Sequence, residues 1–163
     1  MITQSELKQV LQYEPETGVF IWITNHAHGS KKYGMSAGYR LASGHIRIKI
    51  LGRGYPAHRL AWLYMTGEHP PTTDVDHVNM VPNDNRWCNL RLATVSQNHA
   101  NKHGRLNSKS GLKGVSPSRG KWRASIKHQN KYKHIGVFNC PAAASFAYQV
   151  EADKLFGAYA RPF

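Results

Sequence analysis

The stretch VDHVNMVPNDNRWCNL, residues 75–90, sets a histidine directly after an aspartate and follows the pair with four asparagines. Asn and Asp side chains compete for backbone hydrogen bonds and favour turns, so the stretch reads first as an irregular loop. Its interest lies in which of these polar groups such a loop could hold together.

Working outward, the 163-residue chain is one ordinary domain by length, or two small modules with modest cores. Lys and Arg outnumber Asp and Glu by 22 to 9, for a formal net charge of +13, and no acidic residue lies between Asp84 and Glu151. The isoelectric point is near 10.0. A basic surface of this size implies a polyanionic partner, because each phosphate neutralised by Lys or Arg releases a condensed counterion. Nucleic acid is the leading candidate. A membrane surface is disfavoured: there is no amphipathic segment with a basic face, no lipidation signal and no apolar run of about 18 residues. MITQSELKQ lacks the apolar stretch of a signal peptide, so a soluble, cytoplasmic protein is expected. Cys88 and Cys140 form no Cys-x-x-Cys pair and read as packed thiols rather than as a disulfide or zinc site.

Along the chain, Leu7, Val10 and Leu11 have helical spacing, and EPETG (14–18) breaks the pattern before the strand-like VFIW. In GHIRIKILGRGY, Ile46, Ile48 and Ile50 alternate with Arg47 and Lys49, and GRG supplies a turn, which predicts a hairpin with one apolar face. AHRLAWLYMTG places His58, Ala61, Trp62 and Met65 on one helical face and stops at Gly67; His58 reads as a packed or hydrogen-bonded residue rather than a ligand. After the asparagine-rich loop, Thr94 and Gln97 have capping-box spacing and open a short helix. GRLNSKSGL (104–112) has no periodicity and reads as a linker lying on DNA.

Hydrolysing a phosphodiester requires a base for water, a cation for the leaving oxygen, and a scaffold holding both. His77 is the base of suitable character in the loop. Asp76 offers a hard oxygen for a metal, and Asn98, one turn into the helix capped by Thr94, offers a second ligand. Such oxygen ligands favour Mg²⁺ or Mn²⁺ over zinc, with no further small-molecule cofactor. The amide of Asn89 could accept a hydrogen bond from the His77 imidazole and select its tautomer. Arg86 and Arg91 are candidate phosphate contacts or, alternatively, structural partners for Asp74 or Asp84.

The ordered set Asp76-His77, Asp84-Asn85-Arg86, Asn89-Leu90-Arg91, Asn98 and Asn101 resembles the His-Asn-His (HNH) endonuclease motif, in the phage and intron-homing form whose last histidine is asparagine. His58-Arg59-Leu60-Ala61-Trp62 and EPETGVFIW resemble segments preceding that motif. The resemblance implies two strands and a helix around one divalent metal. It gives His77 the role of general base, Asp76 and Asn98 that of metal ligands, and Asn89 that of orienting the histidine. The implied reaction is DNA cleavage to 5′-phosphate and 3′-hydroxyl ends.

The last third is patterned differently. In KWRASIK, Trp122, Ala124 and Ile126 alternate with Arg123, Ser125 and Lys127, so an extended strand buries the first set and presents the second. KYKHIGVF is a second strand and PAAASFAYQVEADKLFG a helix; with a strand around Gly114 to Ser118 they make a small α+β module. Arg123, Ser125 and Lys127 share a face with Tyr132 and His134, joined by Arg119 and Lys121, and such a sheet can enter the major groove. Gly114-Val115, Gly120-Lys121-Trp122, Ile135-Gly136-Val137-Phe138 and Ala143-Ala144-Ser145-Phe146-Ala147-Tyr148 resemble the DNA-binding domain of plant Apetala-type and ethylene-response factors. By that resemblance DNA contacts fall on Lys113, Ser116, Ser118, Arg123, Ser125, Lys127, Tyr132 and His134. Ser116 and Ser118 stand where the plant domains usually carry base-reading arginines. Strand parity turns Trp122 and Phe138 toward the core.

The sequence therefore predicts an α+β chain: an N-terminal αβ segment (1–55), a ββα-metal nuclease domain (56–103), the linker (104–112) and an Apetala-type domain (113–163). The expected activity is a metal-dependent, homing-type DNA endonuclease acting as monomer or homodimer. The alternatives are a non-catalytic DNA-binding regulator on the same scaffold and a nuclease acting on RNA.

Overall fold

The computed structural model describes residues 1–25, 32–70, 74–101 and 108–160. It is a mixed α+β structure that divides into two compact units, Met1–Leu92 and Ala93–Phe163.

The first unit opens with helix α1 (Gln4–Val10), held by a capping box in which Thr3 and Glu6 satisfy each other's backbone N–H groups. Strands β1 (Leu11–Glu14) and β2 (Val19–Trp22) form a hairpin around the PETG turn, so the chain after α1 is extended before that turn as well as after it. Strands β3 (Tyr39–Arg40), β4 (Ile46–Ile50) and β5 (Arg53–Pro56) make an antiparallel sheet in that order. Ile48 and Ile50 are buried as the alternation requires. The β4–β5 turn is Leu51-Gly52, both at positive φ, rather than GRG. Helix α2 (Ala57–Thr66) ends at Gly67 in the left-handed conformation, as expected. Its buried stripe differs from the predicted face: Ala57, Leu60, Ala61 and Leu63 are buried, whereas Met65 is 40% exposed. The helix packs against α1 as well as against β4 and β5, which rotates the apolar stripe toward Leu60 and Leu63. Strands β6 (Asp74–His77) and β7 (Leu90–Ala93) pair across the asparagine-rich loop.

Leu7, Leu11, Phe20, Ile48, Leu60 and Leu63 are the largest fully buried side chains, and Val75 and Leu90 belong to the same cluster. One continuous core thus joins the N-terminal elements to the strands of the asparagine-rich loop. That is why the expected boundary at residue 55 is not a boundary in the structure.

The second unit contains helix α3 (Val95–Asn101), strands β8 (Val115–Ser118), β9 (Lys121–His128) and β10 (Lys131–Phe138), and helix α4 (Pro141–Phe156). Thr94 and Gln97 close the predicted capping box on α3. The sheet order is β10-β9-β8, all antiparallel, joined by the two-residue turns Arg119-Gly120 and Gln129-Asn130, in which every residue has positive φ. Ala124 and Ile126 pack with Val115 against Ala144, Tyr148, Ala152 and Phe156 of α4, and Trp122 and Phe138 are partly buried against that cluster. Gly114 sits at φ +69, where an added Cβ would lie 2.1 Å from the Tyr148 ring, so only glycine fits. Of the expected linker, 104–107 lie outside the described residues. Residues 108–112 fold back instead, with Ser110 Oγ donating to the Val115 carbonyl at 2.7 Å and Leu112 packing on the core.

Both cysteines are exposed rather than packed: Cys88 lies in a 3₁₀ turn (Trp87–Asn89), and Cys140 is the N-cap of α4, its Sγ accepting from Ala143 N–H. Among the described residues no helix is long and apolar enough to cross a membrane.

Candidate active site

The loop between β6 and β7 is irregular in outline but tightly cross-linked by its short polar side chains. Asn89 Oδ1 accepts from Asn79 N–H at 3.0 Å, and Asn89 Nδ2 donates to Asn79 Oδ1 at 3.0 Å and to the Asp84 carbonyl at 2.7 Å. Asn79 Nδ2 donates to Asp84 Oδ2 at 2.6 Å. Arg86 grips both oxygens of Asp84, Nε to Oδ1 at 2.8 Å and Nη2 to Oδ2 at 2.6 Å, and with Asn79 holds this carboxyl down at about 2. Met80 adopts φ 59 and donates its N–H to the His77 carbonyl at 3.0 Å, which turns the chain directly after the histidine.

His77 ends β6 and is buried. Its ring does not meet Asn89 as expected: Nε2 lies 3.1 Å from Oδ1 of Asn85, an acceptor, so in the neutral ring Nε2–H donates and Nδ1 carries the lone pair. Asn89 is committed to the backbone of the loop, and its amide fixes the turn rather than the imidazole. Asn85 is itself pinned, because Tyr13 donates from its hydroxyl to the Asn85 carbonyl at 2.6 Å. The β1–β2 turn presses on the same place: a Cβ on Gly18, at φ +74, would fall 2.4 Å from the Asn85 carbonyl carbon and the Arg86 nitrogen. Trp87 N–H donates to the Pro15 carbonyl at 3.0 Å. EPETG is therefore a buttress for the loop.

Asp76 is buried, and Arg91 meets its Oδ2 through Nε and Nη2, both at 3.2 Å. Arg86 thus takes Asp84 as partner, one of the structural alternatives expected for it, and Arg91 takes Asp76. Arg59 pairs with Asp74 at 3.2 Å. Asn98 lies half-buried on α3, in the second unit. An aspartate carboxylate is the donor type that a hard cation takes, and at Asp76 a cation would compete with the Arg91 guanidinium.

His58 and His45 stand beside His77, with ring centroids 5.1 Å (58 to 77), 5.8 Å (45 to 77) and 5.5 Å (45 to 58) apart. Burial, helped by the other two rings, pushes His58 down to about 3, and burial lowers His45 as well. The sequence reading missed His45 and read His58 as packed or hydrogen-bonded rather than as a ligand. Five histidines precede Asp76-His77 in the sequence, and nothing local singles out His45 and His58 among them.

In the second unit the cross-strand register fixes which side chains share a face. Ser116 lies opposite Arg123, Ser118 opposite Lys121, Ser125 opposite His134, and Lys127 opposite Tyr132. These eight residues line one side of the sheet, away from α4, with Arg119 exposed in the adjoining turn. Lys127 Nζ lies 5.8 Å over the Tyr132 ring. Lys113 is turned otherwise, donating to the Ala100 carbonyl near the end of α3. Lys133, on the opposite face, pairs with Glu151 at 2.6 Å.

Residues 55–100 match the HNH endonuclease family. The matched segment runs from β5 to α3 and contains the Asp76-His77 pair, the cross-linked loop and Asn98. An uncharacterized HNH endonuclease of Acanthamoeba polyphaga mimivirus is 32% identical over 106 residues, which are 64% of this chain and 55% of the viral protein. The chain thus spans about half the length of that relative. No solved structure matches the chain at a significant level.

Proposed function

We propose that the chain is a divalent-metal-dependent DNA endonuclease of the homing type, hydrolysing phosphodiester bonds in duplex DNA to 5′-phosphate and 3′-hydroxyl ends. The observation that carries this reading is the His77–Asn85 hydrogen bond of 3.1 Å inside the segment that matches the HNH family. With Nε2–H committed to Asn85, Nδ1 of His77 takes a proton from water as the water oxygen attacks phosphorus. The bond from phosphorus to the 3′-oxygen breaks, and the released oxygen is protonated to the hydroxyl. Asp76 and, by family resemblance, Asn98 are the residues that would hold Mg²⁺ or Mn²⁺. The cation would supply positive charge for the leaving oxygen.

The C-terminal sheet is read as an Apetala-type DNA-binding module. Its support is the coherent face of Ser116, Ser118, Lys121, Arg123, Ser125, Lys127, Tyr132 and His134 in a region without acidic residues before Glu151. Arg86, Arg91 and Arg119 remain candidate phosphate contacts, the first two in competition with their carboxylates. A phage-type source and a cytoplasmic location follow from the same reading.

Supercoiled plasmid incubated with Mg²⁺ should be nicked or linearised, EDTA should stop the reaction, and His77→Ala should abolish it. Cleavage surviving that substitution removes the mechanism. Plasmid binding without cleavage by the unaltered chain, in any divalent metal, would instead favour the regulator reading, which the sheet face supports by itself. Cleavage of RNA but not duplex DNA would replace the substrate.

A further inference from the structure

Three imidazoles from separate parts of the first unit converge: His45 just before β4, His58 in the first turn of α2 and His77 at the end of β6. One ligand nitrogen from each lies within 4.8 Å of the other two. Among the described residues Nδ1 of His58 is buried without a hydrogen-bond partner, although buried polar atoms are nearly always satisfied. The other two rings are held from outside. Ser43 Oγ meets Nδ1 of His45 at 3.1 Å, and Asn85 Oδ1 meets Nε2 of His77 at 3.1 Å. Histidines that bind a metal through one nitrogen commonly have the other anchored in this way, which sets tautomer and ring direction. A cavity of about 360 Å³, lined in part by Ser43, His45, Arg47 and His58, gives an ion room to enter.

We propose that His45, His58 and His77 form a binding site for a borderline transition-metal cation of the Zn²⁺ class, separate from the oxygen-ligand role assigned to Asp76. Three imidazoles with a fourth position left to water or an anion are a donor set suited to Zn²⁺ and poorly suited to Mg²⁺. Zinc–nitrogen bonds of about 2.0–2.1 Å in a tetrahedron place ligand nitrogens roughly 3.3 Å apart, so the ring nitrogens must close by up to about 1.5 Å through rotamer changes. The bound cation would satisfy Nδ1 of His58. It would also occupy the lone pair that His77 needs to deprotonate water, so zinc turns cleavage off. That consequence rests on His77 as general base; the binding itself does not.

Cobalt(II) titrated into the tag-free, metal-stripped full chain tests the site directly. One equivalent should give the visible absorption of a tetrahedral nitrogen-ligated ion, displaced by Zn²⁺. His45→Ala, checked for native circular dichroism, should weaken binding at least about tenfold. Asp76→Asn, checked in the same way, should leave it in place. Absence of the tetrahedral spectrum, an unchanged affinity in His45→Ala, or loss in Asp76→Asn with retention in His45→Ala overturns the site. In a second arm, low Zn²⁺ should inhibit Mg²⁺-dependent plasmid cleavage by the unaltered chain, and His45→Ala should require at least about tenfold more. If no metal supports cleavage, the nuclease reading fails while the cobalt spectrum still decides the histidine site.

Discussion

Oδ1 of Asn85 accepts from the ring of His77 while the carbonyl of the same residue accepts from the hydroxyl of Tyr13, so one asparagine links the candidate base to the N-terminal hairpin. Asn85→Ala removes the acceptor and lets the imidazole rotate or change tautomer. Plasmid cleavage is expected to fall by about 10²-fold or more, the scale of general-base contributions, while binding to the same plasmid is retained. Cleavage at the unaltered rate would show that Asn85 does not position the base.

Gly18 offers a test of the same link from a distance. Gly18→Ala places a methyl group against the Asn85 and Arg86 backbone at a positive φ, so the loop must shift. Thermal unfolding should show a loss of about 1–3 kcal/mol, and cleavage should drop beyond what the unfolded fraction explains.

The buried Asp76–Arg91 pair separates structure from phosphate contact. Arg91→Ala removes the guanidinium that faces the buried Asp76 carboxylate and should destabilise the chain by about 3–5 kcal/mol in urea unfolding. A stable Arg91→Ala variant with weakened DNA affinity would make Arg91 a phosphate residue first.

Asp84 predicts a pH dependence. Its folded-state value of about 2 lies below the ordinary 3.8, so the unfolded chain takes up the proton first as pH falls. The stabilisation is complete above about pH 4 and is lost as pH falls toward 2. Melting temperatures followed across that window should decline less steeply for Asp84→Asn, whose amide cannot titrate, than for the unaltered chain.

On the C-terminal sheet, Arg123→Ala with Lys127→Ala should lower the slope of log K against log salt by about one for each phosphate left without its cation. Lys133→Ala is the control, because that side chain lies on the other face and is paired with Glu151. Equal effects of the two variants would place the DNA elsewhere.

What was legible in the sequence follows from how local each signal is. The face carrying Arg123, Ser125 and Lys127 could be read because a strand repeats every two residues and Ala124 and Ile126 must go inside. The stop at Gly67 and the Thr94–Gln97 cap are equally local. The choice of Asn85 over Asn89 was not local. Four asparagines in one loop have the same chemistry, and which of them reaches the imidazole is decided by the turn at Met80 and by the hairpin behind it. His45 and His58 lie on elements that only the tertiary fold brings to His77. The thiols were misjudged because a small apolar side chain carries little weight against a helix cap or a tight turn.

Those two exposed thiols fall one in each unit. A pair of spin labels or fluorophores could therefore be attached to the natural chain without engineering, making Cys88 and Cys140 the two ends of a molecular ruler.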